Sequence, residues 1–330
     1  HFVAQIAMLR DALGIEAGGV DLPTFPPFAL FDPALGLTSI IPDMDPTKPA
    51  LADPRRLHDA IARFEVDQLF GSPALMAVLA NYGAKLPTVQ RVTSAGAPVP
   101  ADVVAKMREL LPDAAGFWTP YGATECLPVA VIESRELQST RAATESGAGT
   151  CVGRAVAPNE VRIIAITNAP IEQWNDARVV GAGVVGEITV AGPTTTDTYF
   201  NRPAQTMAAK IRERLADGSE RIVHRMGDVG YLDAEGRLWF CGRKTHRVET
   251  AQGPMYTEQV EAVFNTHPRV RRTALVGVGA MGTQRPLLCV ELADGVDARE
   301  WPRIERELRG IGEHHAHTAA IDTFLRHPKF

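Results

Sequence analysis

From the start to about residue 160 short apolar runs alternate with stretches of helical character, and that alternation limits the fold more than any other feature. LTSIIP, VDQLFG and VQRVTSAG read as strands bounded by turn-forming residues. Helices are expected over 53–63, 72–81 and 99–110, the first with Asp53 as its cap and Pro54 in its first turn. The chain opens in a further helix, HFVAQIAMLRDALGI, and a further strand is expected after Cys126. Alternation of this kind gives an α/β fold with a doubly wound parallel sheet.

The style changes near residue 160. VRIIAI, GEITVAG, GDVGYLD and GRLWFCG read as strands separated by Gly, Asn and Asp turns, with little helix between them. After Arg243 it changes again: TEQVEAVFNTHP (helix), RTALVGVG and PLLCVEL (strands), then AREWPRIERELRGIG (helix). These shifts predict a large unit over 1–242, divided into an α/β part (1–160) and a β-rich subdomain (161–242). A small α+β domain follows over 243–330.

Bulk properties remove several function classes. A formal charge of −5 and the lack of a dense Lys/Arg stripe argue against nucleic acid as a partner. Apolar stretches such as LMAVLA at 75–80 are too short to span a bilayer. Cys126, Cys151, Cys241 and Cys289 form no CxxC pair, which suggests free thiols in a reducing cytoplasm.

Two tempting motifs carry little. GAGVVG at 181–186 and GVGAMG at 277–282 both fit GxGxxG, but each is followed by a strand-like run. A dinucleotide loop must open a helix, whose free N–H groups meet the pyrophosphate, so glycine turns are the simpler reading. HHAH at 314–317 has only Glu313 beside it as a further ligand and reads as a solvated segment.

The stretch TPYGATECLP at 119–128 is harder to explain by folding alone. Tyr121 offers a flat ring to a purine, and Gly122 lets backbone approach a ligand closely. Thr124 offers a hydroxyl to a phosphate oxygen, and Glu125 a hard oxygen ligand for Mg²⁺. A polar turn with a helix cap would use the same residues. SAGAP at 94–98 adds small residues after a strand, with room for an adenine edge. In HRMGDVGYLDAEGRLWFCGR, Asp228 can accept from two ribose hydroxyls and Arg243 can add a donor to ribose or phosphate. The alternatives there are a turn residue and a surface ion pair.

In this order SAGAP, YGATE, GEITVAGP…YFNRP, GDVGYLDAEGRLWFCGR and TEQVEAVF resemble successive motifs of the adenylate-forming superfamily of acyl-CoA synthetases, adenylation domains and luciferases. The resemblance runs over nearly the whole chain. It implies ATP and Mg²⁺ as cofactors and a small C-terminal domain that rotates between half-reactions. It also implies that Gly96, Ala97, Pro98 and Tyr121 contact adenine, with Gly122 also in the nucleotide site, Thr124 on phosphate, Glu125 on Mg²⁺, and Asp228 with Arg243 on the ribose. Thr124, Glu125 and Arg243 would carry the catalytic roles.

Departures from the pattern refine this. The superfamily's phosphate loop is expected before the first helix and its adenylation lysine beyond HPKF, since Lys329 comes too early; part of a longer enzyme is therefore expected. Thr245 stands where a hinge Asp or Lys is usual. Gln252 takes the place of the loop glycine that admits CoA, with Gly253 and Pro254 after it, which weakens CoA as acceptor. PYGATECLPVAVIES, CVGRAVAPNEVRII and GRKTHRVET most resemble the branch that forms β-lactones in bacterial long-chain olefin biosynthesis. That likeness implies a 3-hydroxy fatty acid substrate and neighbouring pathway enzymes as partners. Phe28 and Phe31, with Cys126 and Leu127, are the candidates for the acyl pocket, against plain core positions. His224 and His246 are candidate bases by residue type, with a surface location expected for both. An acyl-CoA synthetase and a non-catalytic nucleotide-binding module are the rival readings.

Overall fold

The structure is a computed structural model that describes residues 1–328, with the backbone alone at Pro27; Lys329 lies outside the described residues. The strands of the first part are β1 (Val20–Pro23), β2 (Thr38–Ser39), β3 (Gln68–Gly71), β4 (Arg91–Ser94), β5 (Gly116–Ala123) and β6 (Cys126–Glu133). Next come β7 (Thr150–Ala155), β8 (Glu160–Ile164), β9 (Gly186–Ala191), β10 (Lys210–Arg214), β11 (Glu220–Leu232) and β12 (Leu238–Arg243). One sheet joins all of them in the order β2-β1-β3-β4-β5-β6-β7-β12-β11-β9-β8, with β10 on β11. Pairing is parallel from β2 to β5 and antiparallel from β6 onward. The α/β and β-rich stretches are thus two ends of one hydrogen-bonded surface.

The parallel end forms for reasons visible in its residues. Helix Pro73–Tyr82 starts at Ser72, whose hydroxyl accepts from the Leu75 N–H at 3.3 Å. It buries Leu75, Met76 and Leu79 against Val92, Val104 and Phe117. Each such side chain contributes about 2 kcal/mol when removed from water. Helix Pro54–Arg63 begins at Asp53, which accepts from the Arg55 N–H, and places Leu57 and Ile61 in the same core. Strand β3 is buried at every position, as a strand covered on both faces must be.

Two further stretches take forms that their residue types alone do not indicate. YGATE is not a turn leading into a helix: Tyr121 and Gly122 lie in β5, and Thr124 and Glu125 make the two-residue turn into β6. KIRER at 210–214, rich in good helix formers, is a strand because it pairs with ERIVH of β11.

After Arg243 a hairpin of β13 (Val248–Thr250) and β14 (Gly253–Met255) leads to a separate three-stranded sheet. That sheet contains β15 (Val270–Val278), β16 (Arg285–Leu292) and β17 (Thr323–His327) in sequence order. Helices Thr257–Phe264 and Trp301–Glu313 cover it, with Val260, Phe264, Ile304 and Leu308 in its own core. It meets the large sheet where the Thr150 hydroxyl donates to Glu258 at 3.0 Å. GAGVVG and GVGAMG are both turns that enter strands. Of HHAH, His317 is half-buried beside the backbone of Gln259.

Candidate active site

The parallel pairing of β4 with β5 brings the ends of both strands side by side, so the Gly96–Pro98 turn and the Tyr121–Glu125 hairpin share one edge of the sheet. Ligands bind at such carboxyl ends because loops there can vary over a rigid scaffold. Gly96, Ala97 and Pro98 are exposed. Gly122 is needed for close approach: a Cβ there would lie 2.6 Å from Leu127 Cδ1 and 2.7 Å from the Cys126 carbonyl.

Tyr121, Asp228 and Arg243, the outer two 122 positions apart in sequence, meet in one cluster. The Tyr121 hydroxyl donates to Asp228 Oδ2 at 2.6 Å, and Arg243 donates to Oδ1 at 2.8 Å. Strand pairing sets this up, since Asp228 and Arg243 face each other across β11 and β12. Burial pushes the Asp228 carboxyl up, and the phenol and guanidinium pull partly against it. Burial and the neighbouring Asp228 raise the Tyr121 phenol well above its ordinary value, so it stays a donor. The Arg243 side chain remains about half exposed, free to turn toward a ligand.

Glu125, at the tip of the hairpin, is held by Tyr199, which stands in the YFNRP motif without an assigned role, and by Thr196. Its Oε1 accepts from the Tyr199 hydroxyl at 2.6 Å, and its carbonyl accepts from the Thr196 N–H at 2.9 Å. Burial would raise this carboxyl, but the Tyr199 hydroxyl and the residue's own N–H outweigh it and hold it below the usual range. Nearby, the buried Lys210 ammonium bonds the carbonyl and hydroxyl of Thr196, the latter at 2.9 Å. Burial pulls Lys210 down to about 8 against the opposing pull of Glu125. His224 sits opposite Lys210 on β11, with Nδ1 3.3 Å from the Ala209 carbonyl. Burial and the Lys210 charge lower it to about 4, so its ring is neutral. The surface location expected for His224 is wrong: the residue is buried, paired with Lys210 across the strands and with its ring against the Ala209 carbonyl; His246 is exposed. Thr124 is exposed beside Glu125.

A cavity of about 50 Å³ opens beside the hairpin, lined by Phe28, Phe31, Phe70, Pro120 and Leu127. The rings of Phe28 and Phe70 stack at 3.7 Å, and Phe31 meets Phe28 edge-on at 5.6 Å. Asp21 and Asp32, both buried, lie on its wall; burial and the Asp32 charge push the Asp21 carboxyl up. Cys126 does not line this cavity. Neighbours on a strand face opposite sides, and its sulfur lies 3.3 Å from the Thr194 hydroxyl while Leu127 faces the phenylalanines. In the β13–β14 hairpin Gln252 is exposed, and Gly253 takes the positive φ of 127° that the turn requires.

The residues fit a nucleotide-bound Mg²⁺. That ion is ordinarily held by one or two carboxylates together with phosphates and water, and Glu125 is a single ionised, half-buried carboxylate. Among the described residues no group of three His, Cys, Asp or Glu side chains could enclose a metal.

Residues 34–200 match the AMP-binding enzyme family. The chain belongs to that family. All 330 residues align at 72% identity with a protein of Xanthomonas campestris named olefin beta-lactone synthetase. They align at 71% with a protein of the same name from Stenotrophomonas maltophilia. The chain spans 59% of the length of each of these relatives. Among solved structures, amide bond synthetase McbA from Marinactinospora thermotolerans superposes with a TM-score of 0.76 at 23% identity, covering 98% of this chain and 61% of that one. O-succinylbenzoate Coenzyme A synthetase from Bacillus subtilis, in complex with ATP and magnesium ion, gives 0.73 at 20% identity, covering 98% and 61%. At those identities the likeness shows the adenylate-forming fold, an α/β sheet with a small C-terminal sheet beside it. No helix among the described residues is long and apolar enough to cross a membrane.

Proposed function

We propose that this chain belongs to an ATP- and Mg²⁺-dependent ligase that activates a long-chain 2-alkyl-3-hydroxy acid and closes it to a β-lactone. The observation that carries the nucleotide part is the cluster in which Asp228, within β11, meets Tyr121 near the end of β5 and Arg243 at the end of β12, with Glu125 on the same hairpin as Tyr121. The lactone part rests on the 72% identity to an olefin beta-lactone synthetase. In this reading residues 1–242 are the larger adenylating unit and 243–330 a small mobile domain.

Each residue then has a task of its own. Asp228 accepts from the ribose hydroxyls, and Arg243 turns from Asp228 toward ribose or phosphate. The Tyr121 ring and the Gly96–Pro98 turn flank the adenine, with Gly122 keeping the backbone close. Thr124 donates to a phosphate oxygen, and Glu125 holds Mg²⁺, which neutralises phosphate charge when bound. Phe28, Phe31 and Leu127 line the start of the acyl pocket. The substrate carboxylate attacks the α-phosphorus and pyrophosphate leaves. The substrate's own hydroxyl then attacks the activated carbonyl and AMP leaves, a ring closure favoured by tethering. Neighbouring enzymes of olefin synthesis are proposed partners, in the cytoplasm.

The test is incubation of the whole protein with ATP, Mg²⁺ and a 3-hydroxy acid, with and without CoA. A β-lactone formed without CoA is expected. A thioester formed only with CoA would replace this reading by an acyl-CoA synthetase, and nucleotide binding with no pyrophosphate release by a non-catalytic module.

A further inference from the structure

Glu125 stands on a two-residue turn, where a long side chain has little of its own secondary structure to fix it. A carboxylate that must meet a cation in one place needs an outside hold. The segment 192–200 supplies several. Thr196 N–H bonds the Glu125 carbonyl, and the Tyr199 hydroxyl bonds Oε1 at 2.6 Å. Thr194 and Thr195 hydroxyls lie 3.3 and 3.5 Å from the Cys126 sulfur, next in sequence to Glu125. The segment is itself anchored. Asn159 donates to the Thr194 hydroxyl at 2.7 Å and to the Pro128 carbonyl at 2.8 Å. Lys210 grips both oxygens of Thr196 and sits 5.5 Å from the centre of the Tyr199 ring. The Tyr199 N–H is taken by the Thr206 hydroxyl at 3.0 Å.

We propose that Tyr199 is a positioning residue for cation binding: it occupies Oε1 of Glu125, which leaves Oε2 as the oxygen offered to the metal. This rests on the reading of Glu125 as a Mg²⁺ ligand. Lys210 acts one step further out, by holding Thr196 and the loop that carries Tyr199. A magnesium ion takes carboxylates through single oxygens and tolerates little error in position, so a fixed carboxylate matters more to it than to a larger ion. Neighbours that orient a ligand are commonly as influential as the ligand's own bond.

The experiment measures Mn²⁺ binding by the whole protein in the presence of α,β-methylene-ATP, from the electron paramagnetic resonance signal of free Mn²⁺. Affinity for the same nucleotide in EDTA is measured alongside. Tyr199→Phe keeps the ring and removes one hydroxyl. It is expected to weaken Mn²⁺ by roughly 10- to 100-fold, with nucleotide affinity in EDTA unchanged. Lys210→Gln is the second variant and is expected to act in the same direction by less. Glu125→Gln separates the two ideas. If it abolishes Mn²⁺ binding while Tyr199→Phe and Lys210→Gln bind like wild type, the positioning role is wrong and the metal ligand stands. If Glu125→Gln binds Mn²⁺ normally, the metal reading falls and takes the positioning role with it.

Discussion

Tyr121 and Glu125 sit four positions apart on one hairpin, yet the two corners they define are built on different physics. At Tyr121 the charge is enclosed: Asp228 is buried between a phenol and a guanidinium, and burial pushes its carboxyl up. At Glu125 the charge is open: hydrogen bonds hold the carboxyl down, and the buried groups around it, Lys210 and His224, are bases whose charged forms burial disfavours. The first arrangement suits neutral hydroxyls that need an acceptor in a dry place. The second suits a cation. Two carboxylates addressed from one hairpin can serve different partners because their surroundings differ.

The largest effect that can break this contrast is on stability. His224 is lowered from 6.5 to about 4, so between those values the unfolded chain binds a proton that the folded chain refuses. Stability then rises with pH across that window and is lost as the pH falls through it, by on the order of 3 kcal/mol at the acid end. Replacing His224 by Gln is expected to flatten the slope of unfolding free energy between pH 4 and 6.5; an unchanged slope would mean the ring is solvated. Next comes Glu125→Gln, expected to slow adenylate formation by on the order of 100-fold and to weaken its Mg²⁺ dependence. A wild-type rate would remove Glu125 from the site. For Asp228→Ala the expected loss is roughly 10- to 100-fold in ATP affinity, as for a hydrogen bond to a charged group. Calorimetry showing equal affinity would detach the ribose from this corner. The smallest effect belongs to Arg243→Lys, which keeps the charge but loses the fork, with ATP affinity falling by about 3-fold. A far larger loss would show the guanidinium to be as enclosed as Asp228.

The enclosed corner is legible in sequence because its residues follow the order of a resemblance, and the structure brings Tyr121, Asp228 and Arg243 together. A polar turn alone could account for YGATE, but not for its order with SAGAP, Asp228 and Arg243, the last two in a glycine-punctuated pair of strands. The open corner was legible only at Glu125. Tyr199 stands in the YFNRP motif, but its contact with Glu125 comes from how the 192–200 loop folds back, and Lys210 is placed by its pairing with His224, which no local pattern reveals. The same pairing hid His224, whose neutral ring depends on a strand that reads as helix former. Strand β5 was also missed: Pro120, which cannot donate to a ladder, and two glycines interrupt GFWTPYGA. Cys126 and Leu127 show the converse. Adjacent in sequence, they are separated by the strand's alternation, and only Leu127 lines the cavity that Phe28 and Phe31 also line.

The claim on which the rest depends is that both corners address one nucleotide, and a crystal structure of the whole protein with AMP tests it most directly. The expected result has the ribose hydroxyls on Asp228, adenine between Tyr121 and the Gly96–Pro98 turn, and phosphate facing Thr124. AMP bound elsewhere, with Asp228 still engaged only by Tyr121 and Arg243, would contradict it.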